Sequence, residues 1–344
     1  MTRIGPGEGT PPPREDTIVG RRPEFREGMA RLSERAWTYL QPDGGFGLSN
    51  AGVVGPRDPA AAGAQTLLVD TFFDLAHTRR LLDGIAREVR APVGRVVNTH
   101  YNGDHCWGNQ LVRDAEIIGH RSVPEDMRKL SPEMLEALRQ APDTVPAARA
   151  LREGMARFDF RGIELVPPTT LFDDRLELDL DGLAVELIHV GPAHTTGDVI
   201  VHLPTDGIVF TGDVIFRLCA PLGWEGTFER WIEALETIAG LGADTIVPGH
   251  GPVCGPEGAL EMRDYLAWVR DRSREAFDAG RSLEEACLAI DLGPWGEWLE
   301  PERVVSQVAR AYRELEGRPF DAPVEFTRHV EIMAKLRERP AGRA

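Results

Sequence analysis

Lysine is nearly absent from this 344-residue, 38.0 kDa chain. It occurs only at Lys129 and Lys335, so almost all the positive charge is arginine. That preference fits codon bias in a GC-rich genome and carries no chemistry. Basic charge as a whole is also scarce: 39 Lys+Arg stand against 55 Asp+Glu, a formal −16 with a pI near 5.1. Such a surface repels phosphate backbones, which argues against nucleic acid as a partner. The four cysteines, Cys106, Cys219, Cys254 and Cys287, lie far apart and form no CxxC pair. This speaks against both a disulfide framework and a zinc ribbon. No apolar run approaches the roughly 20 residues that span a bilayer, so no membrane association is expected. Met1 to Pro13 is rich in Gly and Pro and lacks the apolar core of an export signal, so the expected location is cytoplasmic.

What is present is an ordinary globular composition, 42% hydrophobic and 27% charged, which rules out wholesale disorder. The length suits one large domain with an appendage. Residues 1–20 are expected to be a loose tail, residues 21–255 the main domain, and residues 256–344 a C-terminal helical extension. Within the main domain a helix is expected from Arg22 to Leu40, then a turn over Gln41 to Gly47. Strands are expected at Gly52–Val54, Thr66–Val69, Val93–Asn98 and Ala115–Ile118, with helices at Ala76–Arg90 and from Cys106 to Arg113. Residues 121–158 are charged, Leu/Met-periodic and broken by prolines, which reads as a helical insertion. A second β-rich block runs from Ile163 to Phe216, with turns at Asp181-Gly182 and Asp206-Gly207. A helix at Thr227–Leu241 and a strand at Thr245–Val247 follow. The extension carries helices at Gly258–Asp278, Leu283–Ile290 and Pro301–Glu316. The pentapeptide Thr-Gly-Asp-Val-Ile occurs at 196–200 and again at 211–215, and both copies are expected to be strand starts.

The chemistry concentrates in Asn98-Thr99-His100-Tyr101-Asn102-Gly103-Asp104-His105-Cys106-Trp107. The segment follows the expected strand Arg95-Val96-Val97, so its polar groups fall at the C-terminal end of that strand, where open α/β sheets build ligand sites. Imidazole and carboxylate at this density match the ligand set of Zn²⁺ or a similar divalent ion; a polar turn capped by Asp104 is the plainer alternative. Three further apolar strands run into Gly-bearing turns that present His194, Asp213 and His250 in the same way. Together these four strand ends form a plausible ligand set for two metals. His189 and His202 fall inside strands and are expected to be satisfied there, and Cys106 to be a small packing residue. His120 ends a strand beyond the first motif, while His77 and His329 carry no local pattern. Asp198 shares the pentapeptide of Asp213 and follows His194 in its turn. Phe46 lies on a Gly-rich turn, either as a flap over the site or as an ordinary exposed aromatic.

The order His100-x-Asn102-x-Asp104-His105, then His194, Asp213 and His250, resembles the H-x-H-x-D-H…H…D…H pattern of the metallo-β-lactamase superfamily over roughly residues 40–255. The resemblance implies an α+β fold, the four-layer αββα sandwich, with the metal site along one edge. It implies that His100 and His194 hold a first metal, that Asp104, His105 and His250 hold a second, and that Asp213 bridges them. Asn102 stands where the family has a second histidine. An amide oxygen is a poorer zinc ligand than imidazole, so the expected cofactor is one or two Zn²⁺, with Mn²⁺ or Fe²⁺ as alternatives at the first site.

Two divalent ions against the carboxylates of Asp104 and Asp213 lower the pKa of bound water from 15.7 towards about 7. The reaction expected is therefore attack of hydroxide held by metal on an acyl bond, a thioester or lactone, with Asp104 as the catalytic carboxylate. No G-x-S-x-G elbow offers a serine instead. The stretch from Asn102 to Asn109 and the arginine-rich composition are similar to those of aromatic polyketide cyclase/thioesterases of antibiotic biosynthesis. That implies a small-molecule acyl substrate carried by an acyl carrier protein. A glyoxalase-II-like thioesterase, a lactonase and an alkylsulfatase are the alternatives within the fold, and a non-catalytic metal-binding scaffold or sensor is the alternative outside it. The helical additions are expected either to roof the metal site or to serve a homodimer.

Overall fold

The computed structural model describes residues 27–338 apart from 43, 44, 143, 145 and 224. The expected tail over 1–20 lies outside these residues. Twelve described strands form two sheets. The first has seven strands in sequential order: β1 (Gly28–Arg31), β2 (Ala36–Leu40), β3 (Ala51–Val54), β4 (Thr66–Val69), β5 (Val93–Val97), β6 (Glu116–His120) and β7 (Thr170–Phe172). The second runs in the order β12 (Thr245–Val247), β11 (Ile208–Phe210), β10 (Val199–Leu203), β9 (Leu183–His189) and β8 (Arg175–Leu180). From β4 to β7 the pairing is parallel, as it is between β11 and β12.

The central strands β3, β4, β10 and β11 are apolar almost throughout because both of their faces are covered, whereas the edge strand β8 alternates and leaves one face exposed. Leu67, Val69, Val97 and Ile118 meet Val199, Val201, Ile208, Phe210 and Val247 of the opposite sheet in a shared core. The alternate residues Leu68, Val96 and Ile117 turn outwards onto Leu81 and Ile85 of α1 (Leu75–Glu88). On the far side, Ile200, Val209 and Ile246 pack under α6 (Phe228–Gly240), α7 (Pro256–Asp278) and α9 (Val304–Leu315). Helix, sheet, sheet, helix is thus the layer order. The C-terminal helices α7 and α9 lie on that outer face beside α6.

The segment up to Leu40 departs from expectation. Its described part is a hairpin of β1 and β2, not a helix. Alternation decides this: Ala36 points into the core between the sheets, while Trp37 and Tyr39 join Met29 in the cluster around α1. The second Thr-Gly-Asp-Val-Ile copy is also no strand start. Residues Gly212–Val214 form a 3₁₀ turn beyond β11, whereas Val199 of the first copy opens β10 as expected. Past α2 (Gly103–Cys106) the chain tightens into a 3₁₀ turn over Trp107–Val112. The insertion holds three helices, α3 (Val123–Asp126), α4 (Pro132–Gln140) and α5 (Pro146–Gly154). It shares an apolar cluster with Phe73, Tyr101 and Trp107. In the extension, α8 (Leu283–Ala289) precedes α9, and α10 (Phe326–Arg337) crosses back to lie against α5. No described helix is long and apolar enough to cross a membrane.

Candidate metal centre

Parallel strands β5, β11 and β12 end at one edge of the sandwich, and the turns leaving them carry His100 to His105, Asp213 and His250. The loop after β9 adds His194. Two groups of potential ligands form there: His100, His194 and Asp213 in one, Asp104, His105 and His250 in the other. Within each group the ligand atoms lie within 4.8 Å of one another. Asp213 joins the two. Its Oδ2 lies 3.5 Å from His194 Nε2 and 3.9 Å from His100 Nε2, while its Oδ1 lies 3.0 Å from His105 Nε2 and 3.4 Å from His250 Nε2. Asp104 Oδ2 faces the second group, 3.3 Å from His250 Nε2. Asn102 is beside the first group, its amide nitrogen 3.0 Å from His194 Nε2.

Each of three imidazoles is fixed through its other nitrogen. His105 Nδ1 lies 2.8 Å from Asp70 Oδ2, His194 Nδ1 lies 3.0 Å from the Leu222 carbonyl, and His100 Nδ1 lies 3.0 Å from Thr99 Oγ1. Thr99 in turn donates its backbone N–H and its hydroxyl to the two oxygens of Asp70, both at 2.7 Å. Sequence reasoning misses Asp70. A signal for it exists, since Thr66-Leu67-Leu68-Val69-Asp70 is again an apolar strand ending in an acid, here with a left-handed φ of 63°. The His250 turn is held by Asn50, whose side-chain amide donates to the Pro248 and Gly251 carbonyls at 2.9 and 2.8 Å. Gly249 lets that turn close on the centre: a Cβ there would sit 2.1 Å from Asp213 Oδ1.

The residues present fit a cation. Nε2 of His100, Nε2 of His105 and Oδ1 of Asp213 are buried with no hydrogen-bond partner, and such groups are costly unless something else satisfies them. The local field is negative. Burial alone would lower the His105 and His250 imidazoles, but Asp213 and Asp104 outweigh it and hold His105 well above its ordinary value and His250 up to about 9. Burial and the neighbouring His105 keep His100 well below the usual range, hence neutral and able to donate a lone pair.

The other singled-out residues belong to neither ligand group. His202 bonds Glu186 at 3.1 Å, and His189 bonds the Thr196 carbonyl at 3.0 Å while stacking on His120. Asp198 accepts from the Thr195 backbone and hydroxyl, and His77 pairs with Asp74. Cys106 is wholly buried among apolar side chains. Phe46 packs edge-on against Phe73 and lines the cavity above the centre. That cavity, of about 500 Å³, has Asp104, Asp213 and His250 at its floor. Leu130, Met134 and Leu138 of the insertion and Phe326 of α10 contribute to its walls.

A family model described as the metallo-beta-lactamase superfamily matches residues 44–250. The chain belongs to this superfamily. Among curated relatives, a linear primary-alkylsulfatase of Pseudomonas sp. (strain ATCC 19151) is 23% identical over 255 residues, 66% of this chain and 48% of that protein. The 2,4-dinitroanisole O-demethylase subunit alpha of Nocardioides sp. (strain JS1661) is 27% identical over 192 residues, 54% of this chain and 48% of its own length. The chain thus spans about half the length of these relatives. Among solved structures, the stereoselective inverting sec-alkylsulfatase Pisa1 from Pseudomonas sp. superposes with a TM-score of 0.63 at 16% identity, over 87% of this chain and 52% of that one. At that identity the likeness is one of fold.

Proposed function

We propose that this superfamily member is a metal-dependent hydrolase acting on an acyl bond, a thioester or lactone, in a substrate with a sizeable apolar group. One observation carries the reading: two histidine–carboxylate groups meet on Asp213 at the floor of a largely apolar cavity. His100, His194 and Asp213 would hold one divalent ion, with Asn102 beside them, and Asp104, His105 and His250 a second. Zn²⁺ suits the nitrogen-rich set. When bound, such an ion supplies hydroxide at neutral pH and polarises the bond to be cleaved. Asp104, with 13% of its side chain exposed, faces the cavity and can orient an attacking water through the carboxylate oxygen left free of the ion. Phe46, Phe73, Leu130 and Phe326 exclude bulk water from that step and bind the acyl group.

Lys129 ties the roof to the floor. Its ammonium pairs with Asp126 at 2.8 Å and with Glu225, whose other oxygen accepts from the Thr196 backbone at 2.8 Å. The insertion is thereby latched to the loop that carries His194. An aromatic acyl group, as in a carrier-bound polyketide thioester, suits these walls. An alkyl sulfate is the second reading, favoured by a fold shared with the sec-alkylsulfatase over a span that must include much of the helical additions.

The test is a substrate panel offered to the metal-loaded protein with and without chelator: an aryl thioester, an aliphatic lactone, and primary and secondary alkyl sulfates. Chelator-sensitive cleavage of the thioester or lactone supports the main reading, and cleavage of the sulfates alone replaces it with the second. No cleavage of any of them, by protein shown to contain metal, would leave a metal-binding scaffold.

A further inference from the structure

A second cavity, of about 450 Å³, opens among the C-terminal helices and is unlike the first in character. It is lined by α9, the turn at 280–283 and the segment 316–329. Five arginines face it, Arg281, Arg310, Arg313, Arg318 and Arg328, against two carboxylates, Glu316 and Glu325. That concentration is notable in a chain of net charge −16. The two acids are spent on exposed pairs, Arg318–Glu316 at 3.5 Å and Arg328–Glu325 at 3.3 Å, of the kind that water screens. His329 also lines the cavity; burial, reinforced by Arg328 and Arg313 against Glu325, lowers it to about 4, so it adds no charge at neutral pH.

Arg310 lies at the base of this cavity. It is 1% exposed and has no carboxylate within ion-pair distance among the described residues. One guanidinium nitrogen donates to the Ala193 carbonyl at 3.0 Å, and the group lies 4.5 Å over the Trp231 ring. Its Nε and its second terminal nitrogen have no hydrogen-bond partner. Burial and the neighbouring Arg313 push it down only to about 9, which leaves it charged at neutral pH. A buried charge with unused donors is expensive unless an anion meets it. Gly223, which lines the same cavity, keeps the approach to that unused nitrogen open: a Cβ there would sit 2.5 Å from it.

We propose that this cavity binds a compact, multiply charged oxyanion, an organic phosphate or a small polycarboxylate, with Arg310 at its base and Arg281 and Arg328 at its mouth. Guanidinium forks engage both anion types in bidentate fashion, which lysine does not. The volume admits more than an inorganic ion, so a carbon skeleton fits alongside the charged groups. The site does not depend on the metal centre for its ligands. It does share the wall at Pro323 and Val324 with the substrate cavity, and Gly223 adjoins Leu222, whose carbonyl orients His194.

The experiment is isothermal titration calorimetry on the full chain after chelation, so that no active-site metal can take up the anion. The probes are pyrophosphate and succinate at fixed ionic strength. Saturable one-site binding of either is expected: pyrophosphate alone assigns the phosphate class, succinate alone the carboxylate class. Arg281→Glu at the exposed mouth should weaken that binding by about tenfold or more, as expected for reversing one charge-assisted contact. Arg310→Lys, which keeps the charge and loses the fork, should weaken it as well. Absence of saturable heat from both probes, or affinities unchanged in both variants, would overturn the proposal.

Discussion

Floor and walls of the cavity above the candidate metal centre are built on different plans. At the floor, His100, His105, His194, Asp213 and His250 sit in the segments that leave buried strands, none more than 4% exposed, and three of the four imidazoles are held by a hydrogen bond at Nδ1. The walls come from helices laid onto the sandwich, and Met134 among them is 51% exposed. A strand end fixed by two packed sheets holds its side chain to a fraction of an ångström, as metal chemistry requires. A half-exposed helix residue is held loosely and can be exchanged at little cost. Chemistry should therefore fail when the floor is touched, and substrate preference should shift when the walls are.

The largest effect is expected at Asp213, the side chain common to both ligand groups. Asp213→Ala should abolish turnover and leave less than half the parental metal by elemental analysis; retention of both would show that Asp213 joins nothing. Asp70→Ala comes next. It touches no proposed metal position, yet it removes the carboxylate that orients His105 and should cost about 10–100-fold in metal affinity, read by competition with a chromophoric chelator. A wild-type affinity would reduce Asp70 to a packing role.

Asn102→His tests the difference between the two ligand groups themselves. Imidazole at that position should raise the metal content per chain, and an unchanged content would place Asn102 outside the ligand sphere. On the walls, Met134→Ala should change stability by no more than about 0.5 kcal/mol, as exposed positions do. KM for a long-chain or aromatic ester should rise with kcat nearly unchanged, the signature of lost uniform binding. A fall in kcat instead would mean that the wall takes part in the chemistry.

The smallest effect concerns His329, far from the floor. Burial holds it at about 4 when folded, against 6.5 for the free side chain. Below pH 6.5 the unfolded chain takes up a proton that the folded one refuses, so stability falls as pH drops from 6.5 towards 4 and this contribution levels off below that. Chemical denaturation of His329→Leu across this range should show a shallower decline than the parent; parallel curves would remove His329 from the account.

Much of the sandwich and most of the side chains that gather in the candidate metal centre are legible in the sequence. The ligand order can be read because each side chain follows a short apolar strand, and strands covered on both faces leave an unbroken apolar signature. Thr66–Val69 and Thr245–Val247 fall where that signature puts them. The β1–β2 hairpin reads wrongly as helix because charged residues around Ser33 to Arg35 mask its period-two alternation. Asp70 escapes notice because its partner His105 is 35 positions away, and local pattern carries no information about such a contact. The arginine cavity is invisible for the same reason: Arg281, Arg310 and Arg328 belong to separate segments whose sequences read as ordinary solvated helix and turn.

The sequence by itself determined which residues could do metal chemistry and that each would follow an apolar strand, since composition and hydrophobic period are local properties. Only the tertiary structure decided that Asp213 would face four histidines, that Asp70 would orient one of them, and that Met134 and Phe326, 192 positions apart, would share a wall. Those relations arise when two sheets bury a common core and helices close over their edge. Packing of that kind is a property of the whole chain, and no window of the sequence contains it.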